Sequence, residues 1–135
     1  YHMTKAQQIP NYVFNFVKDL SNVDIGYGEI IQRYICRQTD GSVSTGMENI
    51  IITQLKEYRD KLTKPSLTEG PQILNYSSLP SDQQVLSLDT KEFSNVYLIR
   101  SGGKEGFYIY TKGNRIASIA TMNKGGKRIF ILICK

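Results

Sequence analysis

The spacing of the apolar residues changes near residue 70, and this change restricts the fold more than any other feature of the chain. Before residue 70, apolar side chains recur every three or four positions, as at Val13, Phe16, Val17 and Leu20, and so share one face of an α-helix. After it the period is two, which is typical of β-strands. We predict five strands there, at residues 85–88, 96–100, 106–111, 115–122 and 127–134. A further candidate strand, at residues 72–76, precedes them.

The connections between the later strands are short and contain Gly and Asn, as in Gly113-Asn114 and Gly125-Gly126. Short connections join antiparallel neighbours, because a parallel crossover needs a dozen residues or more. The sequence therefore predicts an α+β fold. Two or three N-terminal helices pack on a curved antiparallel sheet of four to six strands, with a meander at the C-terminus.

Three helices are predicted in the first half. The first begins at Pro10, and the second covers about residues 24–37. The third begins with a capping box formed by Thr45 and Glu48 and ends at Lys64-Pro65. Its apolar spacing predicts a buried face made of Met47, Ile50, Ile51, Leu55, Tyr58 and Leu62.

The order of these elements over residues 10–134 resembles the cone-shaped α+β roll of the nuclear transport factor 2-like superfamily, with the cystatin-like fold as a neighbour. The resemblance concerns element order and no residue motif. It implies a pocket between sheet and helices, which members use as a ligand site, a catalytic cavity or an interaction scaffold. Such members place an early hairpin between helices, and no such hairpin is predicted before Thr45.

The only histidine is His2, in the segment Tyr1-His2-Met3, which we interpret as the remainder of an expression tag. We interpret residues 4–135 as one domain. Without this histidine the chain lacks Ser/His/Asp and Cys/His catalysis and the common zinc sites. The sequence predicts no metal, no cofactor and no transmembrane segment, and cytoplasmic and exported locations both stay open.

Cys36 and Cys134 are the two cysteines of the chain. We interpret them as buried free thiols. The alternative is a disulfide between them, which would close a loop of roughly a hundred residues.

Charge is unevenly distributed along the chain. Residues 1–95 carry nine basic and eleven acidic side chains, whereas residues 96–135 carry eight basic side chains and one acidic side chain, Glu105. The basic residues of this C-terminal segment either keep hairpins and sheet edges soluble or form a surface for anions. For the second case we predict a binding surface on the sheet and its hairpins, made of Tyr97, Arg100, Tyr108, Arg115, Lys127 and Arg128.

This pattern favours a non-enzymatic binding or interaction module, whose partner is a small ligand or an acidic protein surface, with a homodimer also possible. An alternative is a small isomerase or lyase with a carboxylate and a tyrosine in a cavity. Its candidate acids are Asp24, Glu29 and Asp89, and its candidate donors are Tyr34, Tyr97 and Tyr108. A further alternative is a non-specific nucleic-acid binder that uses aromatic and basic side chains of the sheet.

Overall fold

Three helices precede six strands in the structure, a computed structural model that describes residues 9–37, 45–63, 71–100 and 106–134. The helices are α1 (Asn11–Leu20), α2 (Tyr27–Tyr34) and α3 (Thr45–Thr63). The strands are β1 (Gln72–Asn75), β2 (Val96–Arg100), β3 (Phe107–Lys112), β4 (Arg115–Ser118), β5 (Ala120–Lys124) and β6 (Lys127–Ile131). Three short 3-10 helices lie between β1 and β2, at Tyr76–Ser78, Ser81–Gln83 and Thr90–Asn95. The predicted α+β class is confirmed.

The helices largely follow the predicted apolar spacing. The four predicted apolar positions of α1 are all buried. The α2 helix is shorter than predicted, because Ile35 is extended and forms a parallel bridge with Ile116. On α3, Ile51, Leu55, Tyr58 and Leu62 are buried. The prediction for Ile50 is wrong, since this side chain is 48% exposed. The predicted stop at residues 64–65 and the Thr45 side chain of the capping box lie outside the described residues.

The strands form two antiparallel sheets. One sheet has the order β1-β2-β3-β4, and β5 and β6 form a separate two-stranded ladder. The predicted strand at residues 115–122 is therefore broken at Ile119. The hydroxyl of buried Ser118 stabilises this bend by donating to the carbonyl oxygen of Ile131, at 2.6 Å. The predicted strand at residues 85–88 is wrong, because only Leu86 forms a bridge, with Arg128 of β6.

Both faces of the four-stranded sheet are covered. The helices cover one face, where Ile51 and Leu55 of α3 belong to the same core as Ile99 and Ile109. The segment between β1 and β2, together with β6, covers the opposite face. That second core is built of Tyr76, Leu79, Leu86, Val96 and Leu98, with Tyr108, Tyr110 and Phe130 partly buried against it.

A disulfide joins Cys36, just after α2, to Cys134 near the end of the chain. The two residues are 98 positions apart, and both are buried. The structure thus contains the disulfide alternative, and the interpretation as free thiols is wrong.

Candidate functional site

A groove of about 290 Å³ lies where α3, the start of β3 and the β5–β6 hairpin meet. The groove exists because the chain bends at Ile119. The ladder between β3 and β4 begins at Tyr110 and Ser118, and beyond Ser118 the chain pairs with β6 instead. Its lining is mainly polar: Gln54, Glu57, Tyr58, Lys61, Gly106, Phe107, Tyr108, Thr121 and Arg128.

Two stacked aromatic rings form one wall of the groove. The rings of Tyr58 and Phe107 are nearly parallel, with centroids 3.8 Å apart. The Tyr58 hydroxyl donates to the carbonyl oxygen of Ile119, at 2.6 Å. Burial raises the pKa of Tyr58, and the nearby Glu57 carboxylate raises it further. Tyr58 is therefore a neutral, fixed part of the wall at physiological pH.

Two cations, Lys61 and Arg128, line the groove from opposite sides. Nε of Arg128 donates to Oγ1 of Thr121 at 2.9 Å, and its guanidinium carbon lies 5.4 Å from the centroid of the Tyr108 ring. Nζ of Lys61 lies 5.9 Å from the centroid of the Tyr58 ring. Both ion pairs found among the described residues belong to Arg33. Within that part of the chain, Lys61 and Arg128 therefore have no carboxylate partner.

Two of the six predicted binding residues, Tyr108 and Arg128, line this groove. Tyr97 is only 5% exposed and lies in the core beneath the helices. The prediction fails for Tyr97 because β2 is covered on both faces. Lys127 is exposed next to the turn of the hairpin and does not line the groove.

The other two predicted residues make contacts within the protein. Nη2 of Arg100 donates to Oε1 of Gln83, at 2.7 Å. Nη1 of Arg115 donates to the carbonyl oxygens of Gln32 and Arg33, at 3.0 and 2.7 Å, so Arg115 stabilises the C-terminal end of α2.

Sequence reasoning missed Lys61 and the other α3 residues of the groove, because it treated α3 only as a source of core side chains. A signal was present in the spacing. Lys61 follows the buried Tyr58 by three positions, and side chains at this spacing share one helix face.

The acids considered for an isomerase or lyase are not brought together with the proposed tyrosines. Asp24 and Asp89 are exposed, and Glu29 pairs with Arg33. The Tyr34 hydroxyl instead donates to the Asp19 carboxylate. Burial, and to a smaller extent this hydrogen bond, raises the pKa of Tyr34 to about 12. Among the described residues, the buried polar and charged side chains include no carboxylate.

Apart from Tyr108, which lines the groove, the aromatic rings of the sheet that would stack nucleic-acid bases pack inside the protein. Tyr97 and Phe107 are buried, and Tyr110 stacks on Phe130 with ring centroids 5.5 Å apart. Because these contacts cover both faces of the sheet, its flat surfaces offer no open stacking platform.

These observations describe an α+β fold whose four-stranded sheet is covered on both faces. A groove lies at the side of the sheet, and its charged lining residues are Lys61, Arg128 and Glu57. No family model, curated protein or solved structure matched the chain in comparisons. The described residues contain no cluster of three or more His, Cys, Asp or Glu that could hold a metal ion. In the same ranges, no helix combines the length and apolar character needed to cross a membrane.

Proposed function

We propose that this domain is a binding module that takes an anionic ligand into the groove between α3 and the β5–β6 hairpin. One observation carries the proposal: Lys61 and Arg128 line the same groove, and neither forms an ion pair with a described carboxylate. Glu57 also lines the groove, so the two cations leave its lining with a net charge of one positive unit, and an anion that bridges Lys61 and Arg128 would form charge-assisted hydrogen bonds to both.

The lining around the two cations supports a polar ligand. Gln54, Thr121 and Tyr108 supply hydrogen-bonding groups, and the Tyr58 and Phe107 rings supply a rigid wall. A volume of about 290 Å³ lies just below the range of small-molecule sites, which is about 300–1,000 Å³. The groove therefore suits a compact anion or a short portion of a longer ligand.

The charge of the C-terminal 30 residues favours the same ligand class. From Gly106 to Lys135 the sequence has six basic residues and no Asp or Glu. A surface with one sign of charge raises the local concentration of oppositely charged ligands and accelerates their association. The resemblance to the nuclear transport factor 2-like roll, which is one of architecture, stays a proposal supported by the order of helices and strands.

The test is calorimetric titration with tripolyphosphate, a compact polyanion, at low salt. Arg128→Gln and Lys61→Gln each remove one charge from the groove. Each should weaken binding by about tenfold or more, because a hydrogen bond to a charged group contributes about 1.5–3 kcal/mol. The matched control is Lys112→Gln, which removes the same charge from an exposed position at the end of β3.

Binding by the wild type that is lost in both groove variants and kept in Lys112→Gln supports the proposal. Equal weakening in all three variants would mean that the anion responds only to net charge. That result, or no binding by the wild type, contradicts the proposed groove function.

A further inference from the structure

The turn of the β5–β6 hairpin determines which backbone groups point away from its ladder. Gly125 and Gly126 both have positive φ, of 58° and 77°, as a two-residue type I′ turn requires. The residues flanking such a turn, Lys124 and Lys127, form a hydrogen-bonded pair, and hydrogen-bonded pairs then alternate along the ladder. Thr121 and Asn123 belong to the intervening pairs. Their N–H and C=O groups therefore point outward from β5.

The outer edge of β6 agrees with this alternation. Arg128 is the partner of Asn123 across the ladder, so its backbone groups should also point outward. Its carbonyl oxygen does accept a hydrogen bond from the N–H of Ser87, at 2.8 Å.

Among the described residues, backbone hydrogen bonds meet the outer edges of β4 and β6, whereas the outer edges of β1 and β5 have no backbone partner. Ser87 meets the edge of β6, and the Cys36 N–H donates to Ile116 at the edge of β4, at 2.9 Å. In the part of the chain that the structure describes, β5 pairs with β6 alone. An open strand edge is a template for pairing with another chain, and proteins usually block such edges.

The open edge of β5 borders the groove, because Thr121 of β5 lines both. A second cleft, of about 190 Å³, runs along β5 and is lined by Thr121, Met122, Asn123 and Arg128. It shares Thr121 and Arg128 with the larger groove. The two clefts therefore adjoin each other at Thr121 and Arg128, and the outward backbone groups of β5 lie next to the groove cations.

The positive charges around the two clefts favour one kind of chain as the binding partner of the β5 edge. Arg128 and Lys124 belong to the hairpin itself, and Lys61 faces it from α3. A second copy of this chain that paired through the same edge would bring these cations close to their own equivalents. An acidic segment would instead place its side chains against them.

We propose that the ligand of this groove is an extended acidic peptide, which adds as a strand to the open edge of β5. The inference rests on the groove function proposed above and names its ligand class. Backbone hydrogen bonds to Thr121 and Asn123 give affinity, and carboxylates near Lys61 and Arg128 give selectivity. The accessible edge from Thr121 to Lys124 accommodates about four residues at roughly 3.3 Å per residue.

The experiment measures fluorescence anisotropy of a labelled peptide, Thr-Glu-Val-Glu-Thr-Glu, with a peptide containing Gln in place of Glu as the charge control. Asn123→Pro removes an outward N–H without touching the ladder to β6, a position at which proline is tolerated. This variant should bind the peptide about tenfold more weakly, because the lost bond leaves a peptide carbonyl unpaired. Asn123→Ala keeps the N–H and should bind like the wild type.

Two N-methylated peptides provide a test that does not depend on the folding of Asn123→Pro. Each is methylated at alternate residues, in opposite registers. A strand that pairs along one edge presents only one set of N–H groups to β5. One methylated peptide should therefore bind about tenfold more weakly than the parent, and the other should bind equally well.

Tripolyphosphate separates this inference from the groove function. If tripolyphosphate binds through Arg128 but the peptide does not bind, or if both methylated peptides bind like the parent, strand addition is wrong and the groove function stands. If neither probe binds the wild type, both proposals are wrong. If Asn123→Pro also loses tripolyphosphate, the methylated peptides decide the question.

Discussion

Arg59 is a buried cation whose partners are backbone carbonyls. Its side chain is on α3, and the residue is 7% exposed. Nε donates to the carbonyl oxygen of Leu20 and Nη2 to that of Ile25, both at 2.7 Å. The guanidinium carbon also lies 4.5 Å from the centroid of the Tyr27 ring. Since Leu20 is the last residue of α1, where the helix dipole is negative, Arg59 fixes the α1–α2 connection to α3.

Replacing Arg59 tests this role. Arg59→Met keeps much of the volume and leaves two carbonyl groups without donors. We expect the free energy of unfolding to fall by about 2–3 kcal/mol, measured by chemical denaturation. Lys56→Met, at an exposed position of the same helix, is the control and should change it by less than about 0.5 kcal/mol. Equal effects of the two substitutions would contradict the role assigned to Arg59.

Gly106 is required at the start of β3 because the neighbouring strand lies too close for any side chain. A Cβ atom at this position would lie 1.9 Å from the carbonyl oxygen of Ile99. We expect Gly106→Ala to lower the free energy of unfolding by about 1–3 kcal/mol, since backbone atoms must move to admit the methyl group. Thermal unfolding measures this effect.

Gly28→Ala is the matched control, since nothing lies within 4 Å of a Cβ atom there. Gly28 is in α2, where alanine should raise stability by up to about 1 kcal/mol. A stabilising effect at both positions would show that β2 and β3 do not approach as closely as described.

At the scale of elements, Arg115 links β4 to the end of α2. Because its guanidinium donates to two carbonyl oxygens there, Arg115→Ala should lower the free energy of unfolding by about 1 kcal/mol. It should leave tripolyphosphate affinity unchanged, since Arg115 does not line the groove. Denaturation and calorimetry of the same variant check both effects. If Arg115→Ala lost affinity for tripolyphosphate at an unchanged free energy of unfolding, Arg115 would be a binding residue and the structural role assigned here would be wrong.

Helix positions and most strand positions were predictable from local patterns. The apolar spacing of α1 and α3 identified most of their buried residues, and the Gly-containing turns located the hairpins. The bend at Ile119 was not predictable, because it depends on a hydrogen bond from Ser118 to Ile131, a residue distant in sequence. The groove exists because of this bend, so the full set of residues that line it could not be predicted from the sequence either.

The misassignment of Tyr97 has a physical reason. Alternation was interpreted as one buried and one exposed face, but four consecutive residues of β2, Val96 to Ile99, are buried. A continuous apolar run indicates a strand covered on both faces. The covering segment between β1 and β2 has irregular structure, which periodicity does not reveal. Tyr108 and Arg128 were two members of the predicted surface and both line the groove, but Lys61 was not associated with them.

At the scale of the whole molecule, the disulfide connects the helical half to the end of the last strand region. It joins residues 98 positions apart, and in the chain-entropy account a loop of this length stabilises the fold by up to about 4–5 kcal/mol. Cys36→Ser/Cys134→Ser should therefore shift the urea midpoint markedly downward. The wild type in reductant should behave in the same way, and unchanged midpoints in both samples would contradict the contribution assigned to the disulfide.

The central claim is that the groove beside the sheet, and neither face of the sheet, holds the ligand. The most direct measurement is a titration of ¹⁵N-labelled protein with tripolyphosphate, followed by amide chemical shifts. We predict that the largest shifts cluster at the second half of α3, at Gly106 and Phe107, and at Thr121 and Arg128. Shifts centred on Lys112 and Arg115, or spread evenly over all exposed cations, would contradict the claim.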